Sequence, residues 1–250
     1  MNFTIVLAKE FREIVRTRKI IVLPAVFLFF GIFSPLLLHI TPELLKSQGL
    51  NISMPPPTPE MAAGEYFESA TLFGTVALIL VSMGAVAEER SKGSLAIVLS
   101  KPLRRSYFLL AKLLSISALT MFSFILGAVS CLYYTQLLIG NLKLGVFFPG
   151  VFLLMFFLSI LTAITILFSI ALRSQMAAGG ASIATLFILS FLPTLGGIFK
   201  TATPYSLVRL SGEYLTGGST HGLLLALTTN AIVLGSVMLM GWILFSGQEI

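Results

Sequence analysis

The chain has 250 residues, of which 56% are hydrophobic and 10% are charged, and its formal net charge is +6. Soluble domains carry about 25% charged residues, and no soluble core of this size could hide so much apolar surface, so the composition predicts a protein whose solvent is lipid. The basic excess lies in membrane-flanking segments and not on one folded face, which excludes nucleic acid as a partner. The single cysteine, Cys131, excludes a disulfide framework and a cysteine-based metal site.

The first residues predict an amphipathic helix that lies on the membrane surface, over residues 3–17. Apolar residues recur there at three- and four-residue spacing, and most charges fall on the opposite side. The apolar positions are Phe3, Leu7, Phe11, Ile14 and Val15. Glu10 is the exception because it falls near the apolar face. We expect its carboxylate either to reach the surface or to pair with a nearby arginine.

The middle and end of the chain predict six membrane spans, since a span needs about 20 apolar residues. The segments lie at about 20–40, 69–87, 108–138, 146–172, 176–198 and 222–246. Only the third contains a charge, Lys112, whose long side chain we expect to reach back to the membrane surface. We find no internal repeat and no separate soluble domain, so residues 1–250 are predicted to form one transmembrane domain.

Basic residues predict how the spans are oriented, because cytoplasmic segments carry an excess of lysine and arginine. Twelve of the 16 lysine and arginine residues lie in the amino-terminal segment, in residues 88–112 and in the link after the fourth span. The alternate loops contain the other four. We therefore expect a multi-pass protein of the plasma membrane with both termini in the cytoplasm. The predicted outer loops are 41–68, 139–145 and 199–221.

The outer segment 41–68 is the longest of these loops and is acidic. Its carboxylates are those of Glu43, Glu60, Glu65 and Glu68. Such a composition is typical of a solvated loop. A vestibule that attracts cations is the alternative.

The segment after the second span predicts a short cytoplasmic helix, from Glu88 to Ser100. Acidic residues in its first turn suit the positive end of the helix dipole. Pro102 then ends the helix because it has no N–H to donate. An apolar stripe would lie on one face, formed by Leu95, Val98 and Leu99.

The stretch from Glu88 to Lys112 carries a pattern of charged, small and apolar residues at fixed spacing. Its residues are Glu89, Arg90, Gly93, Ser94, Leu95, Val98, Leu99, Pro102, Leu103, Arg105, Phe108, Leu109, Ala111 and Lys112. This pattern resembles a motif of the integral-membrane subunit of ABC-2 type ABC transporters, which is close to E-R-x-x-G-[ST]-L-x-x-L-L-x-x-P-[LIV]-x-R-x-x-[FIL]-[LF]-x-[GA]-K. Val98 stands where the family usually has Leu, and Ala111 where it usually has Gly. Lys9-Glu10-Phe11 followed by Arg16-Thr17-Arg18 is similar to the family's amino-terminal elbow helix.

The resemblance implies an all-α polytopic membrane protein: six transmembrane helices, an amino-terminal interfacial elbow helix and a cytoplasmic coupling helix over about 88–100. The coupling helix would dock in a groove of a separate ATP-binding subunit. The docking residues implied are Glu88, Glu89, Arg90, Gly93, Ser94, Leu95, Val98, Leu99 and Pro102, and those of the elbow are Glu10, Phe11 and Arg16.

The chain contains no Gly-Lys dipeptide and so has no phosphate-binding loop of the usual kind. ATP and Mg would be bound by the partner ATPase, and we predict no catalytic residue, cofactor or metal in this chain. The function implied is a permease subunit, driven by that ATPase and acting as an exporter. One six-span half needs a second, identical or paralogous, so two permease subunits and two ATPase subunits are expected.

Two other functions stay open at this point. One is a membrane scaffold or assembly factor that uses no ATPase. The other is an intramembrane protease, because Gly180-Ala181-Ser182-Ile183 has a Gly-x-Ser-x form. The histidines, His39 and His221, should both lie about 20 Å from Ser182 in depth, so small residues 177–184 are better interpreted as a helix-packing face. The substrate class stays open.

Overall fold

The computed structural model describes residues 3–47, 56–93, 105–218 and 222–247, and within these ranges every regular element is a helix. Six helical segments of this part of the chain are long and apolar enough to cross a membrane. They are Lys19–Ser47, Pro59–Ser91, Ser106–Leu138, Leu144–Ala171, Gln175–Leu195 and Leu223–Ser246. The predicted fold class, an all-α polytopic membrane protein with six spans, is confirmed.

The individual helices carry the following labels in chain order. They are α1 (Phe3–Arg16), α2 (Lys19–Ser47), α3 (Pro59–Ser69), α4 (Thr75–Ser82), α5 (Ala87–Ser91), α6 (Arg105–Leu138), α7 (Leu144–Ala171), α8 (Gln175–Phe191), α9 (Phe199–Ala202), α10 (Tyr205–Leu215) and α11 (Leu223–Ser246). A π-helical turn, Ala70–Gly74, joins α3 to α4, so both belong to the second span.

The second span begins at Pro59, well before the predicted start at 69. The Thr58 hydroxyl accepts a hydrogen bond from the Met61 N–H at 3.3 Å, and proline is favoured in the first helical turn because it has no N–H to leave unpaired. Glu60, Glu65 and Glu68 therefore lie on a helix and not in a loop. The prediction of a loop over 41–68 was wrong for these residues, because hydropathy alone does not mark a capped polar first turn.

Helix α7 forms the centre of the bundle. It packs against α4, α6, α8, α10 and α11, and it is apolar on every face, as expected of a helix that is enclosed by others. The region 199–221, predicted as an outer loop, contains α10, which packs on α7 and α3. One face of α10 is apolar and buried, through Leu207 and Leu210.

Helices α2 and α6 approach closely at a pair of glycines. A Cβ atom added to Gly31 would lie 2.3 Å from the Gly127 carbonyl oxygen, and one added to Gly127 would lie 2.4 Å from the Phe27 carbonyl oxygen. Small residues at such a crossing let helix backbones come together in a membrane, where packing is the main source of association. This contact fixes the first span against the third.

We call the end of the bundle that carries α1 the elbow end, and the opposite end the far end. Helix α1 packs on α6 and α2, and it buries Val6, Glu10 and Ile14. Phe11 and Val15, on the predicted apolar face, are largely exposed on the bundle. That placement agrees with a helix whose other apolar side meets lipid.

Candidate functional site

The predicted coupling segment begins at the elbow end as helix α5. Within it the structure describes Glu88, Glu89, Arg90 and Gly93. The remaining predicted docking residues lie outside the described ranges: Ser94, Leu95, Val98, Leu99 and Pro102. Helix α5 ends at Ser91, and Gly93 adopts a φ of 70°. A left-handed glycine at this position ends a helix, so the prediction of one continuous helix over 88–100 was wrong at Gly93.

Helix α5 is attached to the end of the central helix α7. The Ser169 hydroxyl oxygen accepts hydrogen bonds from the Val86 N–H at 2.9 Å and from the Ala87 N–H at 3.0 Å. The Arg90 guanidinium donates to the Ile170 carbonyl oxygen at 3.2 Å. The first N–H groups of a helix have no partner within the helix, so Ser169 acts as a cap supplied from another span.

A buried ion cluster lies beside α5. The Lys112 Nζ atom of α6 is 2.8 Å from Glu10 Oε2 of α1 and 2.9 Å from Glu89 Oε1 of α5. Lys112 is 2% exposed, Glu10 4% and Glu89 8%. The expectation that Lys112 reaches the membrane surface was wrong, because two carboxylates neutralise its charge inside the protein. Charged side chains are almost never fully buried unless they are paired in this way.

Lys9 completes the cluster from its exposed side. Its Nζ atom is 2.9 Å from Glu10 Oε1, 2.9 Å from Glu89 Oε1 and 3.2 Å from Glu13 Oε2. Burial by itself would lower the pKa of Lys9, but the charges of Glu10 and Glu89 outweigh it and raise that pKa above its ordinary value. Glu10 thus pairs as expected of a buried carboxylate, but with two lysines and not with an arginine.

An aromatic ring lies against the two ammonium groups. The Phe108 ring centroid lies 5.3 Å from Lys112 Nζ and 5.9 Å from Lys9 Nζ, within the range of cation–π attraction. The Phe108 ring stacks on that of Phe245, near the end of α11, with 5.5 Å between centroids. The cluster therefore connects α1, α5, α6 and α11 at one point.

The cluster is built for charge pairing. The carboxylates of Glu10, Glu13 and Glu89 lie within 4.8 Å of one another, a spacing that a cation could bridge. The ammonium groups of Lys112 and Lys9 already bridge them, so these residues do not fit a metal ion. The arrangement joins helices and offers no group poised for acid–base or nucleophilic chemistry.

The other predicted site residues lie on the exposed side of the elbow end. Glu88 pairs with Lys92 at 2.6 Å in solvent, and Phe11 and Arg16 are exposed on α1. The structure thus brings Glu10 and Glu89 together and leaves Glu88, Phe11 and Arg16 outside the cluster. Sequence reasoning placed Lys9 and Lys112 within the two family-like segments but did not identify their partners, and it assigned no role to Ser169.

Part of the small-residue face of α8 packs against another span, at Gly179. A Cβ atom on Gly179 would lie 2.7 Å from the Met83 sulfur. The Ser182 hydroxyl is buried and donates to the Ala178 carbonyl at 2.8 Å. His39 is exposed on α2, and His221 lies outside the described ranges. This geometry favours the packing interpretation over a serine protease.

Six apolar spans, with a surface helix joined by buried charges to the end of the second span, define a polytopic membrane protein. Residues 4–221 match the family described as ABC-2 family transporter protein. The chain belongs to this family. It is also 26% identical over 194 residues to a protein described as "Uncharacterized transmembrane protein YxlG" from Bacillus subtilis (strain 168), which covers 76% of this chain and 75% of that protein.

Proposed function

We propose that this chain is the permease subunit of an ATP-driven exporter, and that a separate ATP-binding subunit docks on the segment that follows α5. The observation that carries the proposal is the connection of α5, after which this segment follows in the chain, to the spans. Glu89 and Arg90 bind three other elements, α1, α6 and α7, at the point where the chain leaves the second span. Any partner that moves this segment must therefore move the bundle as well.

The orientation of the complex follows from the basic residues. The elbow end holds α1, α5 and the start of α6. The amino-terminal and 88–112 segments, to which these helices belong, contain most of the lysine and arginine, so we place this end in the cytoplasm. ATP and Mg would be bound by the docked ATPase, because this chain lacks a Gly-Lys dipeptide. The far end then faces outward, where an exporter releases its substrate.

A buried ion cluster is better suited to transmit movement between helices than to stabilise the fold. Taking charges out of water costs about as much as their attraction returns, so such a cluster adds little net stability, whereas removal of one partner costs about 3–5 kcal/mol. The pairs are also directional and hold helices at fixed separations. We infer that the Glu10–Lys112–Glu89 cluster makes α1, α5 and α6 move together when the ATPase binds ATP.

Two of the spans leave most of their surface uncovered within one chain. Helices α8 and α11 expose large apolar side chains such as Phe187, Phe191 and Ile232. Lipid or a second permease subunit can cover them. We propose two permease subunits, identical or paralogous, with two ATPase subunits.

The test is co-purification of the chain with a candidate ABC ATPase, followed by ATP hydrolysis in nanodiscs with and without the permease. We expect a stable complex and an ATPase rate that depends on the permease. Native mass measurement should give two copies of each subunit. A lone, stable permease that neither binds the ATPase nor alters its rate would refute the proposal and favour a scaffold.

A further inference from the structure

Two cavities meet at the far end of the bundle and form one groove. The inner cavity, about 640 Å³, lies between the second span, α8 and α10. The outer cavity, about 920 Å³, lies between α3, α10 and the start of α7. Glu68 and Arg209 line both, together with Gly64 and Gly212. We call the whole the far-end groove.

The inner part of the groove is mainly apolar. Phe67, Leu72 and Val76 line it from the second span, and Ile183, Leu186 and Phe187 from α8. Pockets that bind small organic molecules have this composition, with a few polar groups that orient the ligand. The inner cavity therefore suits a hydrocarbon or aromatic body.

The outer part of the groove is negatively charged. Four carboxylates line it against two basic side chains, those of Lys143 and Arg209. Arg209 is engaged by Glu213 one turn further along α10. Within the described ranges, Glu60, Glu65 and Glu68 form no ion pair. Acidic side chains on a membrane span are costly unless a water-filled cavity or a partner receives them.

Glu68 lies where the apolar and the charged parts meet. Its side chain is exposed and lines both cavities. Burial raises the pKa of the Tyr205 phenol, and the charge of Glu68 raises that pKa further, so the carboxylate acts on the inner cavity as well.

We infer that the far-end groove binds an amphipathic organic cation, with its apolar body in the inner cavity and its positive charge beside Glu68. The inference rests on the proposed export function, to which it adds a substrate class. An anion would meet three carboxylates that lack a basic partner in the described structure, and a bare metal ion would leave the apolar cavity unfilled. The acidic vestibule considered in the sequence analysis was a loop. In this proposal the carboxylate that selects for a cation, that of Glu68, lies on the second span.

The test uses two ions of the same shape and opposite charge. Tetraphenylphosphonium and tetraphenylborate are titrated onto the full chain in nanodiscs, with empty nanodiscs subtracted as the blank. We expect saturable binding of the cation alone. The Glu68→Gln variant should weaken it about tenfold or more, the size of one lost attraction between a carboxylate and a nearby cation at a protein surface, and Glu68→Asp should retain most of the affinity.

Filling the groove gives a second, independent measurement. A Cβ atom on Gly212 meets no atom within 4 Å, so the side chain of Gly212→Leu begins in open space at a residue that lines the groove. Gly145→Leu is the matched control, because Gly145 has the same open surroundings and does not line the groove. We expect Gly212→Leu to abolish binding and Gly145→Leu to leave it unchanged.

The result is separable from that of the proposed function, because ATPase co-purification is measured on the same variants. Cation binding without ATPase docking would refute the export proposal but support the proposed binding site. Docking without cation binding, equal binding of the two ions, or wild-type affinity in Glu68→Gln and Gly212→Leu would overturn the inference.

Discussion

Lys112 and Glu10 are 102 residues apart in the chain, yet Lys112 Nζ lies 2.8 Å from Glu10 Oε2 in the interior of the protein. The pair joins a membrane span to the helix that lies beside the bundle at its elbow end. Glu89 binds the same ammonium group, and so brings in the segment that we propose to dock the ATPase. One lysine therefore contacts two other elements, α1 and α5, from its own helix α6.

Replacement of that lysine should be strongly destabilising. Lys112→Met removes the ammonium group that Glu10 and Glu89 share in the described structure, and the loss of one partner of a buried pair costs about 3–5 kcal/mol. Thermal unfolding in detergent should show a clearly lower midpoint. The combination of Lys112→Met with Glu10→Gln should recover part of the loss, because it removes one of the two carboxylate charges that have lost the Lys112 ammonium group.

The control for this experiment is the exposed pair Lys92–Glu88. Lys92→Met should leave the unfolding midpoint unchanged, since solvent screens that pair. Equal midpoints in Lys112→Met and Lys92→Met would contradict the importance that we assign to the cluster.

The attachment of α1 should depend on pH in a defined direction. Burial would raise the pKa of Glu13, but Lys112 and Lys9 outweigh it and hold that pKa below its ordinary 4.5. A lowered carboxyl pKa stabilises the fold above 4.5, and this contribution is lost as the pH falls through the folded value. The raised pKa of Lys9 stabilises the fold below 10.5, and this is lost as the pH rises through the folded value.

We therefore expect constant attachment between these limits and a looser α1 below pH 4.5. The mobility of a spin label at the exposed position Ile5 measures how firmly α1 is attached. The Glu13→Gln variant should lose part of the acid-side change. An identical pH profile in that variant would show that Glu13 contributes nothing.

Removal of the Ser169 hydroxyl should loosen α5 without unfolding the bundle. Ser169→Ala leaves two buried N–H groups without their acceptor, at about 1–3 kcal/mol for an unsatisfied group. We expect the Ser169→Ala permease to change the ATPase rate less than the wild-type permease does, while its expression level stays normal. Ser159→Ala is the control, because its hydroxyl only donates to the Met155 carbonyl within the same helix.

Docking itself should depend on the apolar residues after α5. Leu95 and Leu99 are four residues apart and would share one face of a helix. Truncation of either to Ala should weaken capture of the ATPase by about 1–3 kcal/mol, the range for interface anchors, and leave membrane insertion normal. Wild-type capture in both variants would remove the docking assignment. Glu89→Lys cannot test docking alone, since it also breaks the cluster.

Orientation can be read by thiol labelling in intact cells. Cys131 is buried, so the native thiol gives little background with an impermeant reagent. A cysteine at Ser53 should be labelled from outside, and one at the exposed Ser91 should be labelled only after the cells are opened. The reverse pattern would invert the topology and place the proposed docking segment outside the cell.

The spans and the family motif could be predicted from the sequence because they are local properties. A bilayer requires about 20 consecutive apolar residues to cross it, and the Glu89-to-Lys112 pattern preserves its spacing within one stretch. The same reasoning misplaced the start of the second span, since Thr58 and Pro59 begin a helix through a cap and not through hydropathy.

The partners of the charged residues were decided only by the tertiary structure. Hydropathy predicted that Lys112 would reach the membrane surface, because nothing near it in the chain marks Glu10 and Glu89 as its partners. Ser169 caps α5 across 83 residues for the same reason. Apolar periodicity determines which segments enter the membrane, whereas a buried charge can be placed only when packing brings an opposite charge within reach.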